Sequence, residues 1–273
     1  EMQMDGIGQA TRNYLVFQIF GEMNRTRSPF SKACFAYSML YPFTDNYIDK
    51  NDISPEQKET YNRLIYDVIC GEVAKPQDEQ QEKTCALLSM IASDYARPSD
   101  TPIYSLLLMM LEAQEDSMRV QENRLIRNMD ERLNISIYKG GISVLIDRFF
   151  VDKDMTKEDE LFYFAFGFLL QLADDLQDIS EDVWKENQTL FTIDTTSESI
   201  ERLVNRMFHY AHHLIGEDFV GKDVFRPFLL AQCNGLICSS VVRSKEYFSP
   251  DYLARIENIL VVSSAFLEKK SFT

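Results

Sequence analysis

Two clusters of acidic residues share a four-residue spacing, although they lie far apart in this chain of 273 residues. Asp45 and Asp49 form the first acidic cluster, and Asp174, Asp178 and Asp182 form the second acidic cluster. Because an α-helix has about 3.6 residues per turn, side chains four positions apart lie on one face of it. Each cluster therefore predicts a helix with carboxylates along one face.

The repulsion within these clusters suggests a bound cation. A pair of like charges at this spacing destabilises an isolated helix by about 0.2–0.5 kcal/mol. Since no Lys or Arg lies on the same face, a cation would offset the charge, and ligands that are all oxygen favour Mg²⁺ or Mn²⁺ over Zn²⁺. The alternative is an ordinary solvated face, which is what most charged runs on helices are. Spacing alone does not decide between the two.

The remaining sequence predicts one all-α domain over residues 1–273, built as an antiparallel helix bundle. Apolar residues recur at the helical period, and ten Gly and eight Pro are few for a protein with many turns. Capping patterns at Ser31, Ser54 and Thr156 mark helix starts. We expect helices over 11–23, 31–49, 54–70, 77–95, 101–128, 129–150, 156 to the second acidic cluster, 197–216, 224–248 and 250–269.

Two features are expected to disturb these helices. Pro42 lies three residues before Asp45, where it predicts a kink or a restart of the helix. Gly140 and Gly141 predict an interruption in the helix over 129–150.

Composition and charge exclude several functions. The formal net charge is −15, which argues against nucleic acid binding because a phosphate backbone requires a basic face. The longest apolar run, 161–172, is too short to span a bilayer, so we expect no transmembrane segment. Five cysteines without CxxC pairs predict a reduced, cytoplasmic protein. The sequence is compatible with a homodimer.

Each acidic cluster continues a stripe of aromatic or small residues on its own helix. Successive turns back from Asp174 reach Gln171, Gly167 and Phe164, and one turn back from Asp45 is Tyr41. The pattern predicts an apolar pocket with acids at its mouth. Such a pocket suits a ligand with an apolar tail and a polyanionic head held through divalent ions.

The motifs resemble those of the class I isoprenoid synthase superfamily, above all squalene and phytoene synthases. Phytoene-synthase-like enzymes carry D-x-x-x-D after a helix rich in Ala and Tyr, and residues 32–49 are similar. Their second motif, Q-x-x-N-x-x-x-D-x-x-x-D, is similar to the series from Gln171 to Asp182, with Asp174 in place of Asn. The segment 138–145 resembles the helix break that these enzymes place against the substrate.

This resemblance implies a terpene synthase that ionises a linear prenyl diphosphate at a trinuclear magnesium site, with Mn²⁺ as a substitute. It assigns two ions to Asp45 and Asp49, and the third to Asp174, Asp178 and Asp182. The expected contacts to the diphosphate are Arg127, Arg132, Lys139, Lys185, Arg243, Lys245 and Tyr247.

Two alternatives stay open. The first is a squalene- or phytoene-type transferase that joins two prenyl diphosphates, although Asn46 stands where many relatives carry Asp. The second belongs to another class: a non-catalytic helical protein that binds a lipid or a protein partner. Retention of all five acidic residues favours the enzyme, because a non-catalytic chain need not keep them.

Overall fold

The computed structural model describes residues 4–24, 31–48, 52–97, 102–123, 129–260 and 263–265. These residues form eleven α-helices and no strand, so the all-α prediction is confirmed. Two short 3-10 helices, Asp223–Phe225 and Lys245–Tyr247, flank the tenth helix. The α-helices are α1 (Met4–Met23), α2 (Lys32–Ile48), α3 (Pro55–Cys70), α4 (Glu79–Asp94), α5 (Pro102–Asn123), α6 (Met129–Val151), α7 (Lys157–Gln177), α8 (Ile179–Lys185), α9 (Ser197–Gly216), α10 (Arg226–Arg243) and α11 (Pro250–Glu257).

The internal contacts divide the chain into two compact units. Unit 1 contains Glu1–Glu112 and Ile146–Asp154, and unit 2 contains Ala113–Leu145 and Met155–Thr273. Each unit is made of two separate segments, because α5 and α6 both contribute residues to each. The single bundle with a central apolar pocket stays a prediction.

The core of unit 1 is aromatic. Helix α2 packs against α1 and α4, and α3 packs against α4. The ring of Phe150, from the end of α6, lies 6.2 Å from Phe17, 5.5 Å from Tyr37 and 5.5 Å from Tyr95 between centroids. Phe17, Tyr37 and Phe150 are buried and Tyr95 is half-buried. Because they come from α1, α2, α6 and the end of α4, these contacts hold together helices that are distant in sequence.

Helix α2 carries Asp45 and continues through Pro42. Its start is capped as predicted, since the Cys34 N–H donates to Ser31 Oγ at 3.0 Å. The Ala33 N–H donates to Asp94 of α4 at 2.9 Å. Pro42 does not restart the helix, because α2 is helical from Lys32 to Ile48, and the kink that was the other expectation stays a prediction. A proline costs about 3 kcal/mol within a helix, and burial of α2 against two neighbours offsets it.

In unit 2, α7 contacts several other helices. It packs against α9 and α10, and α10 also packs against α9 and α11. Thr156 and Asp159 form the predicted capping box at the start of α7. Near its other end, Ser240 Oγ of α10 donates to the Ala173 carbonyl oxygen at 2.9 Å. Helix α7 is therefore held in place at both ends.

The glycines of α6 allow close contact with α7 instead of breaking α6. Helix α6 runs without interruption from Met129 to Val151, so the predicted break at Gly140 and Gly141 is wrong. A Cβ atom at Gly140 would lie 2.5 Å from the Gly167 carbonyl oxygen, and one at Gly141 would lie 2.5 Å from the Phe164 ring. Because glycine has no Cβ, the two helix backbones can meet at this point.

The last helices are shorter than expected. Helix α10 ends at Arg243, and α11 ends at Glu257, followed by a turn. By length and composition, one described helical stretch, Asp223–Arg243, is apolar enough to cross a membrane, and 33% of its window is buried. A single such helix is weak evidence for a membrane span, since core helices of soluble proteins pass the same test.

Candidate functional site

The second acidic cluster lies where α7 joins α8. Asp174 is in the last turn of α7, Asp178 links the two helices, and Asp182 is in α8. The Asp178 N–H donates to the Asp174 carbonyl oxygen at 3.0 Å, and the Asp182 N–H donates to the Asp178 carbonyl oxygen at 2.9 Å. The helical hydrogen-bond pattern thus continues across the junction. The three residues keep the predicted spacing, although two helices carry them instead of one.

Burial and mutual repulsion act on these carboxylates together. Burial, and after it the charge of Asp174, raises the pKa of Asp178 to about 6. Burial likewise raises the pKa of Asp182, while a hydrogen bond from Asn187 Nδ2 to its Oδ1 at 3.0 Å opposes that rise. Asp174 is exposed. Asp178 and Asp182 therefore keep their protons to a higher pH than an ordinary aspartate does.

The structure adds Asp175, which the acidic motifs of the sequence do not assign to the site. Its side chain is 8% exposed. Gln171 Nε2 donates to Asp175 Oδ1 at 2.7 Å, and Ser136 Oγ of α6 donates to Oδ2 at 3.3 Å. Burial raises the pKa of Asp175 to about 7, against the opposing effect of the Gln171 hydrogen bond. The four-residue step from Gln171 to Asp175 was the sequence signal for this contact.

Four of the predicted substrate-binding residues lie where α6 meets α7. Lys139 belongs to α6, and Phe164, Gly167 and Gln171 belong to α7. The backbone of α6 covers Gly167, and the Phe164 ring lies against Gly141. The structure thus brings Phe164, Gly167 and Gln171 against α6, and Gln171 also contacts Asp175, which adjoins the second acidic cluster.

Arg132 and Lys185 contact neighbouring protein groups. Arg132 donates from one terminal nitrogen to Gln188 Oε1 at 2.7 Å and from the other to the Thr189 carbonyl oxygen at 3.4 Å. Burial lowers the pKa of Arg132. Lys185 Nζ lies 2.6 Å from the Glu181 carboxylate. Arg132 therefore connects α6 to the segment that follows α8.

The late basic segment also lies beside α8. Arg243 and Lys245 are exposed, and Tyr247 is half-buried. Ser180 Oγ of α8 donates to Glu246 Oε1 at 2.5 Å. This contact joins the 3-10 helix Lys245–Tyr247 to the helix that carries Asp182.

The first acidic cluster belongs to unit 1. Asp45 is half-buried in α2, which also contains Tyr41, whose side chain lies outside the described part of the structure. Asp49 and Arg127 likewise lie outside the described residues. The roles predicted for these residues stay predictions.

Within the described ranges, no group of three or more His, Cys, Asp or Glu side chains is arranged to hold a metal ion. Asp174, Asp178 and Asp182 lie within these ranges and Asp49 does not, so the magnesium site stays a prediction. A shallow groove on unit 1, lined by α3, α4 and the segment between them, contains none of the predicted site residues.

Comparison of the chain with family models, with curated protein sequences and with solved structures found no match in any of the three. The resemblance of the acidic motifs to isoprenoid synthases is therefore carried by the residues of this chain alone.

Proposed function

We propose that this chain is a magnesium-dependent class I terpene synthase. It would ionise a linear prenyl diphosphate, release diphosphate and convert the resulting allylic cation to a terpene. The supporting observation is the second acidic cluster, in which Asp174, Asp178 and Asp182 keep helical spacing at the end of α7. The pKa values of Asp178 and Asp182 are both raised by burial, as is common for functional carboxylates.

In this proposal the chain supplies carboxylate ligands for magnesium and positively charged side chains for the diphosphate. Bound magnesium ions would offset the negative charge that develops on the departing diphosphate. Lys139 of α6 would bind the diphosphate as a hydrogen-bond donor. Arg132 would hold the segment after α8 through Gln188 and Thr189, which keeps Asp182 and its partner Asn187 in place.

Product analysis tests this function. The protein is incubated with farnesyl, geranylgeranyl or a longer prenyl diphosphate and magnesium, and the organic products are identified by mass spectrometry. A terpene with the carbon number of its substrate supports the proposal. A hydrocarbon of twice that length would instead identify a coupling transferase.

A binding measurement separates the enzyme from the non-catalytic alternative. Isothermal titration with inorganic pyrophosphate is run with magnesium and then with a chelator. We expect binding only when magnesium is present, because two polyanionic groups need a bridging cation. Binding that persists after removal of the metal would contradict the proposal.

A further inference from the structure

Asp174 and Asp175 are adjacent but lie in opposite environments. Asp174 is exposed, whereas Asp175 is buried and accepts hydrogen bonds from Gln171 and Ser136. From Gln171, steps of four, three and four residues lead to Asp175, Asp178 and Asp182, which is the repeat of one helix face. Asp175 therefore lies on the same stripe as the second acidic cluster, on the side that faces α6.

Lys139 lies on α6 at the point where this helix meets α7. Ser136, three residues before Lys139, donates to the Asp175 carboxylate. Gly140, the residue after Lys139, lies so close to α7 that a Cβ atom there would be 2.7 Å from Gln171 Cβ. Lys139 thus lies between two points of contact with α7. Burial is the largest effect on the pKa of Asp175 and raises it, and the positive charge of Lys139 opposes part of that rise.

We propose that Asp175 is a positioning residue that holds Lys139 of α6 beside the second acidic cluster, where Lys139 binds the diphosphate of the substrate. This inference rests on the proposed function. A lysine side chain has many rotamers, so a fixed carboxylate that restrains it lowers the entropic cost of binding. Since a buried carboxylate is costly, a function explains why one is kept here.

Binding of pyrophosphate by three variants tests this role. The Kd for inorganic pyrophosphate with magnesium is measured by titration calorimetry for Asp175→Asn, Lys139→Met and the double variant. We expect each single substitution to raise Kd about tenfold, as for loss of one hydrogen bond to a charged group. The double variant should bind as weakly as Lys139→Met alone, because Asp175 acts through Lys139.

The double variant excludes a simple charge effect. By Coulomb's law, removal of a negative charge weakens the attraction for Mg²⁺ whether or not Lys139 is present, so a charge effect alone would also raise the Kd of Lys139→Met. An unchanged or lower Kd for Asp175→Asn would overturn the inference. So would additive effects of the two substitutions, which would mean that Asp175 acts without Lys139.

Two further variants complete the design. Glu160→Gln makes the same chemical change at an exposed position of α7 and should leave Kd unchanged. Ser136→Ala removes the donor to Asp175 Oδ2 and should raise Kd about threefold, which tests the inference even if Asp175→Asn does not fold. Absence of magnesium-dependent binding by the unmodified protein would overturn the proposed function as well; normal binding by Asp175→Asn would overturn only the inference.

Discussion

At the scale of single residues, burial separates acids that look alike in the sequence. Asp174 is exposed, Asp178 is half-buried and Asp175 is buried, although all three belong to one short segment. A carboxylate that loses contact with water keeps its proton to a higher pH. The pKa values of Asp175 and Asp178 are therefore higher than that of an ordinary aspartate. Both acids should therefore affect stability as well as function.

The raised pKa of Asp175 predicts a pH-dependent gain of stability in Asp175→Asn. An unfolded aspartate releases its proton near pH 3.9, whereas folded Asp175 does so at about 7. Between these values the folded state binds more protons, so the free energy of unfolding falls as pH rises, by at most about 1.4 kcal/mol per pH unit. Asn cannot titrate, so the free energy of unfolding of the variant does not fall in this way. The difference in stability between the variant and the unmodified protein should therefore grow as pH rises between the two pKa values.

Urea unfolding of both metal-free proteins from about pH 4.5 to about pH 7.5 measures this effect. A difference in unfolding free energy that stays constant over this range would contradict the expected titration of Asp175.

Asp178 should be required for turnover but not for folding. Asp178→Asn removes a proposed magnesium ligand, and we expect turnover to fall about a hundredfold or more. The fold should stay intact, because Asn replaces a half-buried charge with a neutral group of similar shape. Steady-state kinetics and circular dichroism measure the two effects, with Glu160→Gln as the control. Turnover within a few-fold of the unmodified enzyme would remove Asp178 from the site.

At the scale of helices, local capping and distant packing act on different residues. The boxes at Ser54 and Thr156 start α3 and α7 through hydrogen bonds within four residues. The glycines of α6 instead allow close contact with Gly167 and Phe164, which are more than twenty positions away in sequence. The same residue type can therefore end a helix, as Gly71 does with φ 91°, or let two helices touch.

Substitution of these glycines should distinguish helix contact from helix propensity. Gly140→Ala and Gly167→Ala would each place a Cβ atom against backbone, so we expect the free energy of unfolding to fall by about 1–3 kcal/mol or more. Gly235→Ala in α10 meets no atom within 4 Å and should instead gain about 0.8–1.0 kcal/mol of helix propensity. Thermal and urea unfolding would compare the three; equal effects at Gly140 and Gly235 would contradict a close crossing.

At the scale of the whole chain, the two acidic clusters belong to different compact units. Asp45 is part of unit 1, and the second acidic cluster is part of unit 2. The proposed reaction needs the acids of both clusters. This requirement can be measured on the intact protein through the stability that a ligand confers, because a ligand that binds only the folded state raises the melting temperature.

Magnesium pyrophosphate should stabilise the intact protein. At about a hundred times Kd, a ligand adds about 2.7 kcal/mol, which should appear as a melting temperature that rises with ligand concentration. We expect Asp45→Asn and Asp178→Asn each to remove most of this rise, with Glu160→Gln behaving as the unmodified protein does. Full stabilisation of Asp45→Asn would show that the first cluster takes no part in binding.

The sequence by itself determined the helical class, most helix starts and the four-residue spacing of the acids, because these depend on groups within one or two turns of each other. Only the tertiary structure decided that Gly140 and Gly141 lie against α7, that Arg132 holds Gln188, and that Asp175 faces Ser136. Partners such as Arg132 and Gln188 lie 56 residues apart, and no local pattern specifies which distant helix faces which. Which helices face each other is determined by the packing of whole helix surfaces.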